Sequence, residues 1–143
     1  MLQIGRVMSL YQHPLFTIDL SKVIAVYQNE DETSVIIQTD DQRKLEVATE
    51  SPDAALEFLA ELADQWEKSA GTLLRHAKHV FLPAAIYSIQ AEVDELYIYF
   101  RDHSVSFALA DSQQALLLLD ELTRRWQLAL GEKTVTQGST SLK

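Results

Sequence analysis

The sequence predicts an α+β fold in which a β-β-β-α unit of antiparallel strands and one helix occurs twice, with pseudo-twofold symmetry between the two copies. The first observation is that SPDAALEFLAELADQW, residues 51–66, returns as DSQQALLLLDELTRRW, residues 111–126, at a spacing of 60. The second is that short β-branched and aromatic runs, separated by polar turn segments, precede each helix, which is typical of antiparallel hairpins. Together these observations predict an internally duplicated fold.

The match between the copies continues upstream of the helices. The spacing between matched residues becomes 61 and then 63, and these changes fall in turns. A duplicated fold should show this pattern, because strands must keep a period of two to hold their buried face. We expect repeats over about residues 10–66 and 73–126, a single domain over residues 1–130 and a disordered tail over residues 131–143. The matched strand residues are Val35 with Leu96, Ile37 with Ile98, Val23 with Ile86 and Val26 with Ile89.

The strands follow in order along each repeat. The first repeat contains the runs KVIAVYQ, SVIIQT and KLEVAT, separated by NEDET and DDQ. The second contains AIYSIQ, ELYIYF and SVSFAL, separated by EVDE and RDH. The polar spacers have the composition of hairpin loops. The runs LFTI and VFL are candidates for a short leading strand in each repeat.

One helix ends each repeat. Ser51 is a predicted N-cap with Pro52 at the first helical position, and Asp111 with Gln114 three residues later resembles a capping box. Glycines are the predicted stop signals, at Gly71 and Gly131.

Each helix has an apolar stripe that we expect to pack against a sheet. The two tryptophans close these stripes and are predicted to anchor the core rather than to stack on a ligand. The stripes are Ala55, Leu59, Leu62 and Trp66 in the first helix, and Ala115, Leu119, Leu122 and Trp126 in the second.

Composition argues against several kinds of site. The 143 residues include no Cys, which excludes disulfides and Cys-based zinc sites. The net charge of −9 opposes nucleic acid, whose binding is driven by Lys and Arg. No apolar run approaches the roughly 18 residues of a membrane span, and the segment MLQIGRVMSL lacks the apolar core of a signal peptide. We therefore expect a cytoplasmic protein that binds neither nucleic acid nor membrane.

The segment RHAKHV between the repeats contains two histidines, His76 and His79. Their spacing of three would suit two metal ligands on a helix, but no carboxylate motif accompanies them, so we predict no metal site. With Arg75 and Lys78 the segment is locally basic. It is expected to be a solvated linker, and the alternative is a weak site for an anion, a ligand or the acidic helix of a second subunit.

No catalytic residue and no cofactor are predicted. The chain has no Gly-rich phosphate loop, no G-x-S-x-G motif and no calcium-binding loop. Acid–base catalysis needs carboxylates in a cleft that separates their pKa values. The carboxylates of the first helix are instead expected on its hydrated face, at Asp53, Glu57, Glu61 and Asp64.

Apolar side chains left over after one core is filled point to a binding surface. Alternation along the strands places Tyr97, Tyr99 and Ile36 on the sheet face opposite the helix, where they either bind a partner or are covered by the other half of the chain. Leu117 replaces Glu57 of the first helix, which indicates either a contact with a partner or a stray exposed leucine.

These observations favour a non-catalytic protein-interaction module, acidic and homodimeric, that binds another protein through an apolar face. One alternative is a chaperone-like or inhibitor-like protein that masks a client. Another is a small-ligand binder or enzyme with its pocket between the two repeats. An enzyme is disfavoured because the sequence assembles no set of acid, base and nucleophile.

Overall fold

A computed structural model describes the backbone of residues 9–141 and the side chains of residues 9–131. The described chain is mixed α+β, with two α-helices and antiparallel sheets, as the sequence predicts. It divides between Leu82 and Pro83 into two compact units.

The described part of the first unit contains seven strands and one α-helix. Strands β1 (Leu10–His13) and β2 (Phe16–Asp19) form a two-stranded sheet, and a 3₁₀ helix (Leu20–Lys22) follows. The remaining elements are β3 (Val23–Gln28), β4 (Ser34–Thr39), β5 (Lys44–Ala48), α1 (Pro52–Ala70), β6 (Leu74–His76) and β7 (His79–Phe81). These five strands form an antiparallel sheet in the order β5-β4-β3-β7-β6.

The second unit repeats the strand–strand–strand–helix order. A 3₁₀ helix (Pro83–Ala85) precedes β8 (Ser88–Glu92), β9 (Glu95–Tyr99) and β10 (Ser104–Ala108), which form an antiparallel sheet in the order β10-β9-β8. Helix α2 follows over Ser112–Ser141.

Local signals set the ends of α1. The Ser51 side chain accepts a hydrogen bond from the Ala54 amide at 3.1 Å, which satisfies one of the first free N–H groups of the helix. Gly71 ends the helix with a φ of 87°, a left-handed conformation that glycine adopts without a steric penalty. Both predicted ends of the first helix are therefore confirmed.

The core of the first unit lies between α1 and one face of the five-stranded sheet. Burying these side chains supplies the main stabilising free energy, at about 25 cal/mol for each Å² of apolar surface removed from water. All four predicted stripe residues of α1 are buried, and Trp66 is 0% exposed. The sheet contributes Val23, Val26, Val35, Ile37, Val47 and Val80 to the same cluster.

Helix α2 differs from prediction in two respects. Leu118 is buried and the predicted core residue Leu119 is only half-buried, whereas Ala115 and Leu122 are buried as predicted. Trp126 is also half-buried, and its Nε1 donates to the Pro83 carbonyl at 2.9 Å. Gly131 has the non-helical angles φ −121° and ψ 26° and breaks the helix at the position where a stop signal is predicted. The predicted tail over 131–143 falls almost entirely beyond the residues whose side chains are described.

The two copies pair their strands in the same register. Each pair in the second copy is displaced from its counterpart by the spacings found in the sequence. This agreement between the sequence spacing and the strand register supports an internal duplication. The duplication itself stays a prediction. The corresponding pairs are Val26–Ile37 and Ile89–Ile98, Val35–Val47 and Leu96–Phe107, and His13–Phe16 and His76–His79.

Candidate binding site in the first unit

The first unit contains an open depression of about 550 Å³, between strand β2, the 3₁₀ helix that follows it and the β4–β5 turn. Its volume is in the range of small-molecule sites, roughly 300–1,000 Å³. The floor is apolar, because Phe16, Ile18 and Leu45 line it while packing against the edge of the core. A ligand could therefore remove apolar surface from water here.

Three cations line the depression: Lys22 from the 3₁₀ helix, Arg43 from the β4–β5 turn and Lys44 at the start of β5. Arg43 forms an ion pair with Asp41, its Nε lying 3.3 Å from Oδ2. Lys22 and Lys44 are exposed, and neither has an ion pair within 4.0 Å among residues 9–131. The rim thus presents two ammonium groups that no carboxylate neutralises directly.

The β4–β5 turn is held by hydrogen bonds that involve Asp41. The Thr39 hydroxyl donates to Asp41 Oδ1 at 2.5 Å, and the Arg43 amide donates to the same oxygen at 3.4 Å. The hydrogen bond from Thr39 is the main cause of the lowered pKa of Asp41. Gln42 occupies the left-handed region with a φ of 73°. The carboxylate of Asp41 is therefore already engaged in shaping the turn.

Asp19 is engaged in the same way at the end of β2. Its Oδ1 accepts from the Ser21 hydroxyl at 2.8 Å, and from the Ser21 amide and the Ser9 hydroxyl at 3.0 Å each. The hydrogen bond from the Ser21 hydroxyl contributes most to the lowered pKa of Asp19, and the charge of Lys22 contributes least. Asp19 thus caps the 3₁₀ helix and holds it beside the depression.

A smaller depression of about 380 Å³ lies between β1 and α1. It is lined by Leu10, Tyr11, Gln12 and Gln65, none of which is charged. Because it offers neither a cation nor a carboxylate, the larger depression is the better candidate for selective binding.

The predicted basic linker is a β-hairpin whose cations are paired. Arg75 Nη2 lies 2.8 Å from Glu67 Oε1 and 3.1 Å from Asp64 Oδ1, which ties β6 to α1. Lys78 Nζ lies 3.4 Å from Glu32 Oε2. The expectation of a solvated linker is therefore wrong, because these charges serve contacts inside the first unit. A weak anion site at Arg75 and Lys78 stays a prediction that these ion pairs disfavour.

The two histidines of this hairpin face each other across β6 and β7. His76 pairs with His79 in the strand register, on either side of the turn at Ala77 and Lys78. The ring of His79 stacks on Tyr27 with centroids 5.2 Å apart. Burial, and secondarily the charge of His76, lower the pKa of His79 to about 4. Within the described residues, no group of three or more His, Asp or Glu side chains could hold a metal ion.

The side chains predicted to bind a partner belong to both units. Tyr97 and Tyr99 stack on β9 with centroids 5.8 Å apart, and both are half-buried. The Tyr97 hydroxyl donates to Glu95 Oε1 at 2.5 Å, which is the main cause of a pKa raised to about 12. Ile36 is half-buried in the first unit, and Leu117 is 57% exposed on α2. A binding role for these four residues stays a prediction.

Sequence reasoning missed the depression, although one signal could have indicated it. At the spacing of 63, Lys22 corresponds to Ala85, and at the spacing of 60, Lys44 corresponds to Ser104. The two free cations thus occur in the first copy alone. A cation that occurs in one copy only can indicate a function of that copy alone. The sequence does not show which function, because the depression forms only where β2 and the β4–β5 turn come together in the folded chain.

The chain was compared with known proteins. No family model matches it, and no curated protein matches it. Among solved structures it is similar to the LytTr DNA-binding domain of a methyl-accepting/DNA response regulator from Bacillus cereus, with 12% identity and a TM-score of 0.47 over 80% of this chain and 94% of that chain. A likeness this distant assigns no function to the chain. In the described part of the chain, no helix is long and apolar enough to cross a membrane.

The similar structure is described as a DNA-binding domain, and two expectations are not retained: the protein-interaction function and the exclusion of nucleic acid. The exclusion rested on net charge, a sum over the chain that ignores where cations lie. Lys22, Arg43 and Lys44 line one depression, together with three carboxylates, despite the charge of −9. The interaction module rested on leftover apolar side chains, yet Tyr97 and Tyr99 are half-buried. The homodimeric, chaperone-like and inhibitor-like functions and the pocket between the repeats are likewise not retained.

Proposed function

We propose that the first unit binds an organic anion in the depression between β2 and the β4–β5 turn. The observation that carries this proposal is the pair of free ammonium groups, Lys22 and Lys44, above an apolar floor. The anionic group of the ligand lies between the two lysines, and its apolar part covers Phe16, Ile18 and Leu45.

The physical basis is the combination of charge and apolar burial. Two lysines at a water-exposed rim attract an anion only weakly, by about 1 kcal/mol or less each. Apolar burial adds about 25 cal/mol for each Å² removed from water. Neither term alone gives selective binding, and together they favour an anion with an apolar body over inorganic anions.

Fluorescence titration with anilinonaphthalene sulfonate tests the proposal, because this probe is an aromatic anion that brightens when it leaves water. In a Lys22→Gln, Lys44→Gln variant we expect the Kd to rise about tenfold, since two weak attractions are lost together. The control is Lys68→Gln, which removes a positive charge from the exposed face of α1, outside the depression. Equal weakening in both variants would contradict a defined site.

Competition between the probe and two other anions tests which kind of anion the depression binds. Sodium phosphate should displace the probe poorly, because it cannot use the apolar floor. A short DNA duplex carries phosphodiesters and tests nucleic acid directly. Competition by DNA that is lost in the Lys22→Gln, Lys44→Gln variant, but retained in the control, would assign the anion to a nucleic acid backbone.

A further inference from the structure

We infer that the ligand of this depression is a zwitterion, an apolar α-amino acid, whose carboxylate meets Lys22 and Lys44 and whose ammonium group meets Asp40. The inference rests on the proposed function, and it names the class of ligand for the same site. It follows from the carboxylates that line the depression.

Three carboxylates line the depression, and they are not equivalent. Asp19 and Asp41 accept hydrogen bonds from neighbouring serine and threonine hydroxyls, and Asp41 also pairs with Arg43. Asp40 is exposed, and within residues 9–131 its carboxylate has no hydrogen bond and no ion pair. One acceptor of positive charge is therefore open beside the two open cations.

The backbone fixes Asp40 relative to the cations. Its amide donates to the Lys22 carbonyl at 2.8 Å, which joins the β4–β5 turn to the 3₁₀ helix. Lys44 begins β5, four residues after Asp40, where it pairs with Gln38 of β4. The three charged side chains thus project from a hydrogen-bonded framework and not from independent loops.

Charge complementarity then selects the ligand. A simple anion would gain from Lys22 and Lys44 but would be repelled by Asp40. A ligand with an ammonium group next to its carboxylate turns that repulsion into attraction. The apolar floor requires an apolar side chain, because a polar one would lose hydration at Phe16, Ile18 and Leu45 without compensation.

Calorimetric titration with phenylalanine and with phenylpropionate tests the inference, because the two probes differ only in the α-amino group. We expect the full chain to bind phenylalanine about fivefold more tightly, the upper range of an exposed ion pair. Asp40→Asn should abolish this preference and leave phenylpropionate bound equally well or better. The variant keeps the backbone amide that joins the turn to Lys22. Glu57→Gln, on the exposed face of α1, is the matched control and should change neither Kd.

The possible failures are distinguishable. If phenylpropionate binds as tightly as phenylalanine and both depend on Lys22 and Lys44, the zwitterion is overturned and the organic-anion site stands. If the preference for phenylalanine persists in Asp40→Asn, the assignment of the ammonium group to Asp40 is overturned. If neither probe binds and anilinonaphthalene sulfonate shows no dependence on the lysines, both proposals are overturned.

Discussion

The pKa of His79 is lowered by its surroundings in the first unit. Its ring stacks on Tyr27 and on Phe81, with centroids 5.2 and 5.6 Å away. The pKa of about 4 in the folded chain lies below the usual 6.5, because burial disfavours the charged ring and His76 lies opposite. The neutral ring is thus the form that the fold accommodates.

We predict an acid-sensitive first unit. Because the folded pKa of His79 is lowered, the unfolded chain binds the proton more readily, so stability is full above about pH 6.5 and is lost as the pH falls to about 4. The difference between the folded and unfolded pKa of His79 corresponds to a loss of about 3 kcal/mol in the free energy of unfolding. Urea unfolding at several pH values measures it, with Trp66 as the sole tryptophan in a Trp126→Phe background, so that fluorescence reports the first unit.

The control is His79→Phe, which keeps an aromatic ring beside Tyr27 and cannot take up a proton. Its stability should vary much less over the same pH interval. Asp19 and Asp41 do not confound the comparison, since their lowered pKa values affect stability only below about pH 4. An identical pH dependence in both proteins would show that His79 is not the responsible group.

On the scale of the element, helix α2 differs from α1 in how its leucines are placed. Leu116 and Leu117 are 59% and 57% exposed, whereas Leu118 is 9% exposed and Leu122 is fully buried. At the spacing of 60, Leu117 corresponds to Glu57, which is also exposed. The run of four leucines, residues 116–119, therefore gives α2 apolar side chains on its exposed side as well as on its buried side.

Two adjacent substitutions in α2 should have very different effects on stability. Leu117→Glu should change the free energy of unfolding by no more than about 0.5 kcal/mol, because the side chain is largely in water. Leu118→Glu buries a carboxylate with no partner and should cost about 3 kcal/mol or more. Thermal melts followed by circular dichroism compare the two variants. Comparable destabilisation by both would place Leu117 in the core.

On the scale of the whole chain, the duplication is the main organising feature. Both copies have a 3₁₀ helix, three antiparallel strands and a helix, in the same order and with the same strand register. The hairpin β6–β7 pairs with β3 of the first unit, whereas the corresponding hairpin β1–β2 forms a separate sheet. The copies therefore differ in how the hairpin that precedes their three strands is paired: β6–β7 joins the five-stranded sheet, whereas β1–β2 does not.

An experimental structure should superpose residues 23–66 on residues 86–126 strand for strand. Trp66 and Trp126 should then occupy equivalent positions, with one-residue and two-residue differences confined to turns. The reason is that a shift by one residue would exchange the two faces of a strand and expose its core side chains. Strands that superpose only after a change of face would contradict the duplication.

Local pattern was sufficient for much of this fold. The α+β class, the three strands before each helix, the caps at Ser51 and Gly71 and the buried face of α1 follow from alternation, helical spacing and turn composition, which involve neighbours in sequence. The hairpin at His76 and His79 was missed because two basic residues and two histidines resemble a solvated segment until the ion pairs of Arg75 with α1 are known.

Tertiary structure alone decided the candidate site. Lys22, Asp40 and Lys44 belong to different elements, and the hydrogen bond from the Asp40 amide to the Lys22 carbonyl brings two of these elements together. The sequence supplied the charges, but whether a charge is free or paired depends on its neighbours in space. Asp19 and Asp41 are engaged by hydroxyl groups, while Asp40, with the same side chain, is not. This difference depends on which side chains are close in space, and the spacing of residues along the chain does not show it.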